Sequence, residues 1–220
     1  AEGRKPVRSS DYYAAAMAAM FILFASGYGG RMLLEEKENI TYQRMIIAGT
    51  PKFGILAGKF FTVFLIALLQ ISIMIAFSYF VLKVQWGSAY PVVLISLCAA
   101  FAIAGIGSML AAATYRAGNS KMADIFETVI LQTMAILGGS FFPTDILPSI
   151  MQKLSFLSIS GAVLKAYLKI MMGYGVQEIM SNIAALAAIG FLSAVLSVLI
   201  LRENGGMRDA QYNKAKTVRT

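Results

Sequence analysis

The chain contains no histidine and one cysteine, and only 14% of its 220 residues are charged. Each shortage excludes something. Without histidine, Ser-His-Asp triads and the zinc sites that depend on imidazole are ruled out. A lone Cys98 in an apolar run permits no intrachain disulfide. Serine is plentiful, but a catalytic serine needs a base; lysine is the remaining candidate, and every lysine sits at the edge of an apolar run. No ionisable side chain lies in the middle of such a run, which argues against a proton relay or a buried-ion carrier, where these groups are nearly obligatory. No catalytic residue and no metal-ligating set emerges.

What the chain does have is apolar length. It is 58% hydrophobic with a mean hydropathy of +0.70, whereas soluble domains sit near 45–50% apolar and about 25% charged. The excess gathers into uncharged runs of roughly 20 residues, enough to cross ~30 Å of hydrocarbon as a helix. Five spans are predicted, at about 13–30, 60–82, 92–115, 125–142 and 179–201. They must be helices, because irregular backbone in lipid leaves N–H and C=O groups unpaired. β-barrel strands would instead alternate over about 10 residues. The expected fold class is all-α, a polytopic membrane helix bundle.

The net charge of +8 first suggests nucleic acid. The basic residues, however, are scattered over connecting segments without interleaved aromatics, so membrane lipid is the better match. Arg4, Lys5, Arg8, Lys83, Lys153, Lys165 and Lys169 fall on the side of the first terminus, and the other twelve of the 19 cations on the opposite side. The richer side is cytoplasmic by the positive-inside rule. Residues 1–12 then form an outer polar segment and 202–220 a basic cytoplasmic tail. Three cations before an outward-starting span, with no initiator Met, lead us to expect that another span precedes residue 1.

The conspicuous charged stretch between spans is 32–59, with Glu35, Glu36 and Glu38 near Arg31, Lys37, Arg44, Lys52 and Lys59. Gly49 can end a helix, Thr50 can cap the next, and Pro51 suits its first turn. A helix over about Leu33–Ala48 is therefore predicted, then a second running through Lys52 and Lys59 into the membrane. Ile40, Tyr42, Met45 and Ile47 supply the first with apolar contacts, and its glutamates favour its N-terminal end. A solvated charged loop is the blander alternative. Gly54, Gly58 and Lys59 imitate a phosphate loop, but the glycines are one residue too close and Phe60 stands where Ser or Thr must hold Mg²⁺. Gly54 and Gly58 instead make a small-residue packing face, and Gly105 sits in a similar small-residue run.

Residues 143–178 are too polar for another span. Pro148 can open one short amphipathic helix, and after a break at Ser158–Gly161 a second follows, with Lys165 and Lys169 opposite its apolar face. These read as interfacial or re-entrant half-helices on the outer side. Polar residues within spans are few; Gln70, Ser72, Gln132 and Thr133 are candidates for a substrate path, and interhelical hydrogen bonding is the alternative.

Taken in order, Glu35, Glu36, Lys37 and Glu38, then Arg44, Gly49, Thr50, Pro51, Gly58 and Lys59, then the run from Gly138 to Pro143 with Leu147 and Pro148, then the two outer half-helices, resemble the permease subunit of bacterial ABC-2 type exporters with the type V exporter fold. The resemblance covers nearly the whole chain. It departs in having five spans where the family has six, and in placing Ser158–Gly161 where an Asn-Pro is common. It implies a multi-pass cytoplasmic-membrane protein, with a first span and outer domain missing here. The implied partners are a second permease subunit, same or different, and an ABC ATPase subunit carrying ATP and Mg²⁺. This chain would need no cofactor itself and bind no nucleic acid. It would export amphipathic, drug-like or lipid-like compounds. Glu35, Glu36, Glu38, Tyr42, Arg44, Met45 and Ile46 would form the ATPase-coupling surface. A non-transport membrane anchor or scaffold, or an intramembrane enzyme, is the alternative.

Overall fold

A computed structural model describes residues 7–117, 121–141, 155 and 158–217, with side chains described as far as Leu201 except at a few positions. All regular structure among them is helical. The long helices are α1 (Ser9–Glu38), α3 (Lys52–Phe80), α4 (Ala89–Ala117) and α8 (Val176–Thr217). The short ones are α2 (Thr41–Ile47), α5 (Lys121–Ile125), α6 (Gln132–Leu137) and α7 (Ile159–Met171), with a π-helical turn at Phe126–Leu131 joining α5 to α6.

Among the described residues four segments are long and apolar enough to cross a membrane: Ser9–Leu33, Phe53–Phe80, Ala89–Ala117 and Val176–Leu201. They correspond to the first, second, third and fifth predicted spans. The predicted span at 125–142 differs. Among the described residues its apolar helical part runs over Thr128–Leu137, taking in the last four residues of the π-turn, and Gly139, at φ 83°, ends it. There the Gly139 N–H bonds the Ile136 carbonyl and the Ser140 N–H the Ala135 carbonyl, the paired bonds of a glycine C-cap.

The bundle is built around α4, which packs against α1, α3, α7 and α8. Lipid tails are as apolar as the helices, so close backbone approach takes over from hydrophobic burial as the source of cohesion. The sequence supplies it with small residues. Ala15, Ala16, Ala19 and Ala25 of α1 and Ala99, Ala100, Ala102 and Ala104 of α4 are fully buried. Gly29 lies so close to Gly107 that a Cβ on it would be 2.6 Å from the Gly107 carbonyl oxygen. On the other side of α4, a Cβ on Gly105 would overlap the Gly190 carbonyl oxygen of α8.

Both ends of α7 lie at the same end of the bundle. At its start, Ser158 and Ser160 hydroxyls donate to the Met134 carbonyl at the end of α6. Near its finish, the Lys169 ammonium donates to the Glu178 carbonyl at the start of α8. Thirteen residues span only about 20 Å as a helix, and this one returns to its own side. The expected break at Ser158–Gly161 is corrected: α7 already begins at Ile159, and Gly161 is a buried contact with Gly138, not a helix breaker. The first predicted half-helix falls outside the described residues except Ser155. Polar groups tie this end together. The Trp86 indole donates to Ser78 at 2.9 Å and meets Tyr167 edge-on, the Tyr167 and Ser96 hydroxyls share a bond of 2.7 Å, and Asn182 donates to the Ala162 carbonyl.

Candidate functional site

The opposite end holds the charged stretch. The helix expected over Leu33–Ala48 is two helices, because α1 runs unbroken from the bundle to Glu38 and the chain then turns at Asn39 and Ile40. Ile40 takes φ 63°, a left-handed conformation that costs a β-branched residue about 1–2 kcal/mol. The turn folds α2 back against the bundle. Gly49, at φ 80°, then closes α2, with its N–H on the Ile46 carbonyl and the Thr50 N–H on the Met45 carbonyl. The expected Thr50 cap is corrected: Pro51, extended, is the residue before α3, no side chain caps it, and Lys52 is the first helical residue.

This geometry sorts the candidate coupling residues by direction. Tyr42 is buried and its ring lies 4.8 Å from that of Tyr115 on α4, in a small cluster with Leu33, Ile55, Leu56 and Ala111. Met45 packs partly against the same cluster. Glu35, Arg44 and Ile46 are exposed. Ile47 is 86% exposed, Phe53 68% and Ile40 58%, so an apolar patch faces outward beside the charges. The side chain of Glu38 lies outside the described set.

Glu36 is not a free surface acid. It is half-buried and paired with the Lys59 ammonium of α3, and its second carboxylate oxygen is buried without a partner. Arg31 pairs with Asp124 at 3.2 Å, joining α1 to α5. At this end of the bundle α1 is thus tied to α3 and α5 by two ion pairs, and α2 to α4 by one ring contact. Sequence spacing alone cannot pair Glu36 with Lys59, since the turn at Ile40 that folds the chain back carries no composition signal.

The candidate path residues do not converge. Ser72 is exposed on α3 and lines a groove whose other wall is α4. Gln70 is half-buried with its Oε1 unpartnered. Gln132 and Thr133 sit on α6 and contribute nothing to that groove, and the Thr133 hydroxyl bonds the Val129 carbonyl of its own turn. Gly54 and Gly58 are exposed, and a Cβ on Gly58 would meet nothing within 4 Å. Among the described residues no cluster of His, Cys, Asp or Glu could hold a metal ion.

Comparison with known proteins fits these observations. The linearmycin resistance permease protein LnrN of Bacillus subtilis (strain 168) is 24% identical over 142 residues. That stretch covers 64% of this chain and 36% of the relative, so the chain spans about a third of the relative's length. The family model described as ABC-2 family transporter protein matches residues 3–199, which takes in three of the long apolar segments, all but the last two residues of the fourth, the folded-back α2 and α7. The chain is a multi-pass membrane protein and belongs to the ABC-2 transporter family.

Proposed function

We propose that this chain is the membrane-spanning permease part of an ATP-driven exporter of amphipathic, drug-like or lipid-like compounds, energised by a separate ATPase subunit. ATP and Mg²⁺ belong to that subunit, and a second permease, the same or different, completes the assembly. The observation that carries the reading is the family match across residues 3–199. The relative's name, a linearmycin resistance permease, agrees with export of a compound of this kind.

The inner end supplies the mechanics. The ATPase docks on the outward face of α2, where Ile46 and Ile47 provide anchors that docking buries, while Arg44 and, on the adjoining end of α1, Glu35 set the approach by charge. A load on α2 passes to α4 through the Tyr42–Tyr115 contact. The adjoining end of α1 carries it to α3 through Glu36–Lys59 and to α5 through Arg31–Asp124. Helices in close backbone contact move as units, so displacement at α2 becomes tilting of the bundle.

The test is pull-down of a candidate ABC ATPase subunit, together with compound-stimulated ATP hydrolysis in nanodiscs. Ile47→Asp should abolish both, since it places a charge on the docking face without touching the fold. Glu35→Gln should weaken association mainly at low salt, because exposed charges are screened within ~8–10 Å at physiological ionic strength. Wild-type binding and stimulation in Ile47→Asp would remove α2 as the docking element.

A further inference from the structure

A groove of about 710 Å³ runs down the outer half of the bundle between α3 and α4, within the size range of small-molecule sites. Its α3 wall is the stripe Leu68, Ser72, Ala76 and Tyr79, one helix face at i, i+4, i+8 and i+11. Its α4 wall includes Val93 and Leu97. From Leu68 to Tyr79 the stripe is about 16 Å long at 1.5 Å per residue, roughly half of a ~30 Å hydrocarbon core. The groove therefore extends from the membrane surface to about mid-bilayer and no further.

Its mouth has the character of an interface. Trp86 and Tyr79 line it, and amphipathic rings of this kind settle at headgroup level. Trp86 is fixed in place by its hydrogen bond to Ser78 and its edge-on contact with the Tyr167 ring. The neighbouring Gly87, at φ 76°, lies so close to α7 that a Cβ would be 2.7 Å from the Ile170 carbonyl oxygen. Lys83 is exposed on the same α3–α4 connection, and the sequence has no acidic residue between Glu38 and Asp124. The groove's flank on α3, through Leu69, Ile73 and Phe77, is exposed and apolar. A cleft one leaflet deep, open to that flank and bordered by a cation in a stretch of sequence that holds no acid, fits one occupant. We propose that it holds a single acyl chain of an outer-leaflet phospholipid, its phosphate at the level of Lys83 and Trp86.

Trp86 is the chain's sole tryptophan, so its fluorescence reports on this groove alone. The full chain is reconstituted in nanodiscs with increasing mole fractions of phosphatidylglycerol brominated on its acyl chains. Bromine quenches indole only at short range. A held chain gives quenching that saturates before the bromolipid becomes the major component, whereas random contact rises in proportion to mole fraction. Ala76→Phe fills the groove and should convert the saturable curve to a proportional one. Ser72→Leu narrows the same space more gently and should move the curve in the same direction if Ala76→Phe does not fold. Lys83→Gln should raise the half-saturating mole fraction about five-fold, as removal of one cation near an anionic surface does. Proportional quenching in the wild type overturns the proposal, as does saturable quenching that survives both groove-filling substitutions. Absence of quenching overturns it too and points to a second polypeptide covering the groove.

Discussion

Gly29→Ala should destabilise the bundle, although alanine is the better helix former. A Cβ on Gly29 would lie 2.6 Å from the Gly107 carbonyl oxygen, where ordinary contact begins at 3.4 Å, so α1 and α4 must separate by about 0.8 Å. A gap of 0.5–1 Å forfeits a quarter to a half of the dispersion well at each affected pair. With about 0.1–0.2 kcal/mol per pair and on the order of 50 pairs along the seam, the loss is roughly 2–4 kcal/mol. Helix propensity returns about 1 kcal/mol, which leaves a net cost of about 1–3 kcal/mol. For a chain of this size that lowers Tm by on the order of 5 °C. The control is Gly58→Ala on α3, where an added Cβ meets nothing within 4 Å; it should keep the propensity gain and melt at or above the wild type. Both are read by thermal unfolding in one detergent, with size-exclusion chromatography confirming a single species. Gly29→Ala melting at or above the wild type would refute the reasoning, as would Gly58→Ala falling as far.

Three further outcomes are expected. Glu36→Gln leaves the Lys59 ammonium, only 11% exposed, without its carboxylate and should cost about 1–3 kcal/mol; the double change Glu36→Leu with Lys59→Met should recover most of it, since removing both charges of a buried pair is often neutral. Recovery is read as Tm, and a double variant no better than the single one would place the cost elsewhere. Tyr167→Phe removes the 2.7 Å bond to Ser96 while keeping the ring against Trp86, so it should cost about 1 kcal/mol with the tryptophan emission maximum unchanged; a shifted maximum would mean that the hydroxyl sets the ring position. In a Cys98→Ala background, a cysteine replacing the exposed Ser88 should react with an impermeant thiol reagent in intact cells, and labelling only after lysis would reverse the orientation drawn from the cation bias.

The legible part of this fold is the part dictated by lipid. Runs without charge had to be helices of a certain length, and α1, α3, α4 and α8 lie where those runs lie. α7 was legible as a short helix for the related reason that Lys165 and Lys169 interrupt the apolar run. The segmented helix between Lys121 and Leu137 was not. Its residues from Thr128 on carry no charge, like those of a straight span, and no residue type marks the π-turn. The same limit applies to Ile40: Asn39 is the better left-handed residue by composition, yet Ile40 takes that conformation, because the position of α2 against Tyr115 is settled by packing across the chain.

The glycines show where pattern stops and contact takes over. Gly54 and Gly58 on one helix and Gly105 and Gly107 on another look alike as sequence, since each pair offers small residues on a membrane helix. Gly105 lies against Gly190 and Gly107 against Gly29, so α4 is held by backbone contact on two sides. Gly58 faces open space. A small residue supplies packing only where another helix arrives at that height, and arrival depends on the whole bundle's geometry. The same rule separates the glutamates: Glu36 meets Lys59 because α1 continues past Leu33 alongside α3, while Glu35, one residue earlier and about 100° round the helix, is left exposed. Adjacent positions of one acidic cluster thus take different work, Glu36 holding two helices together and Glu35 remaining available to a partner.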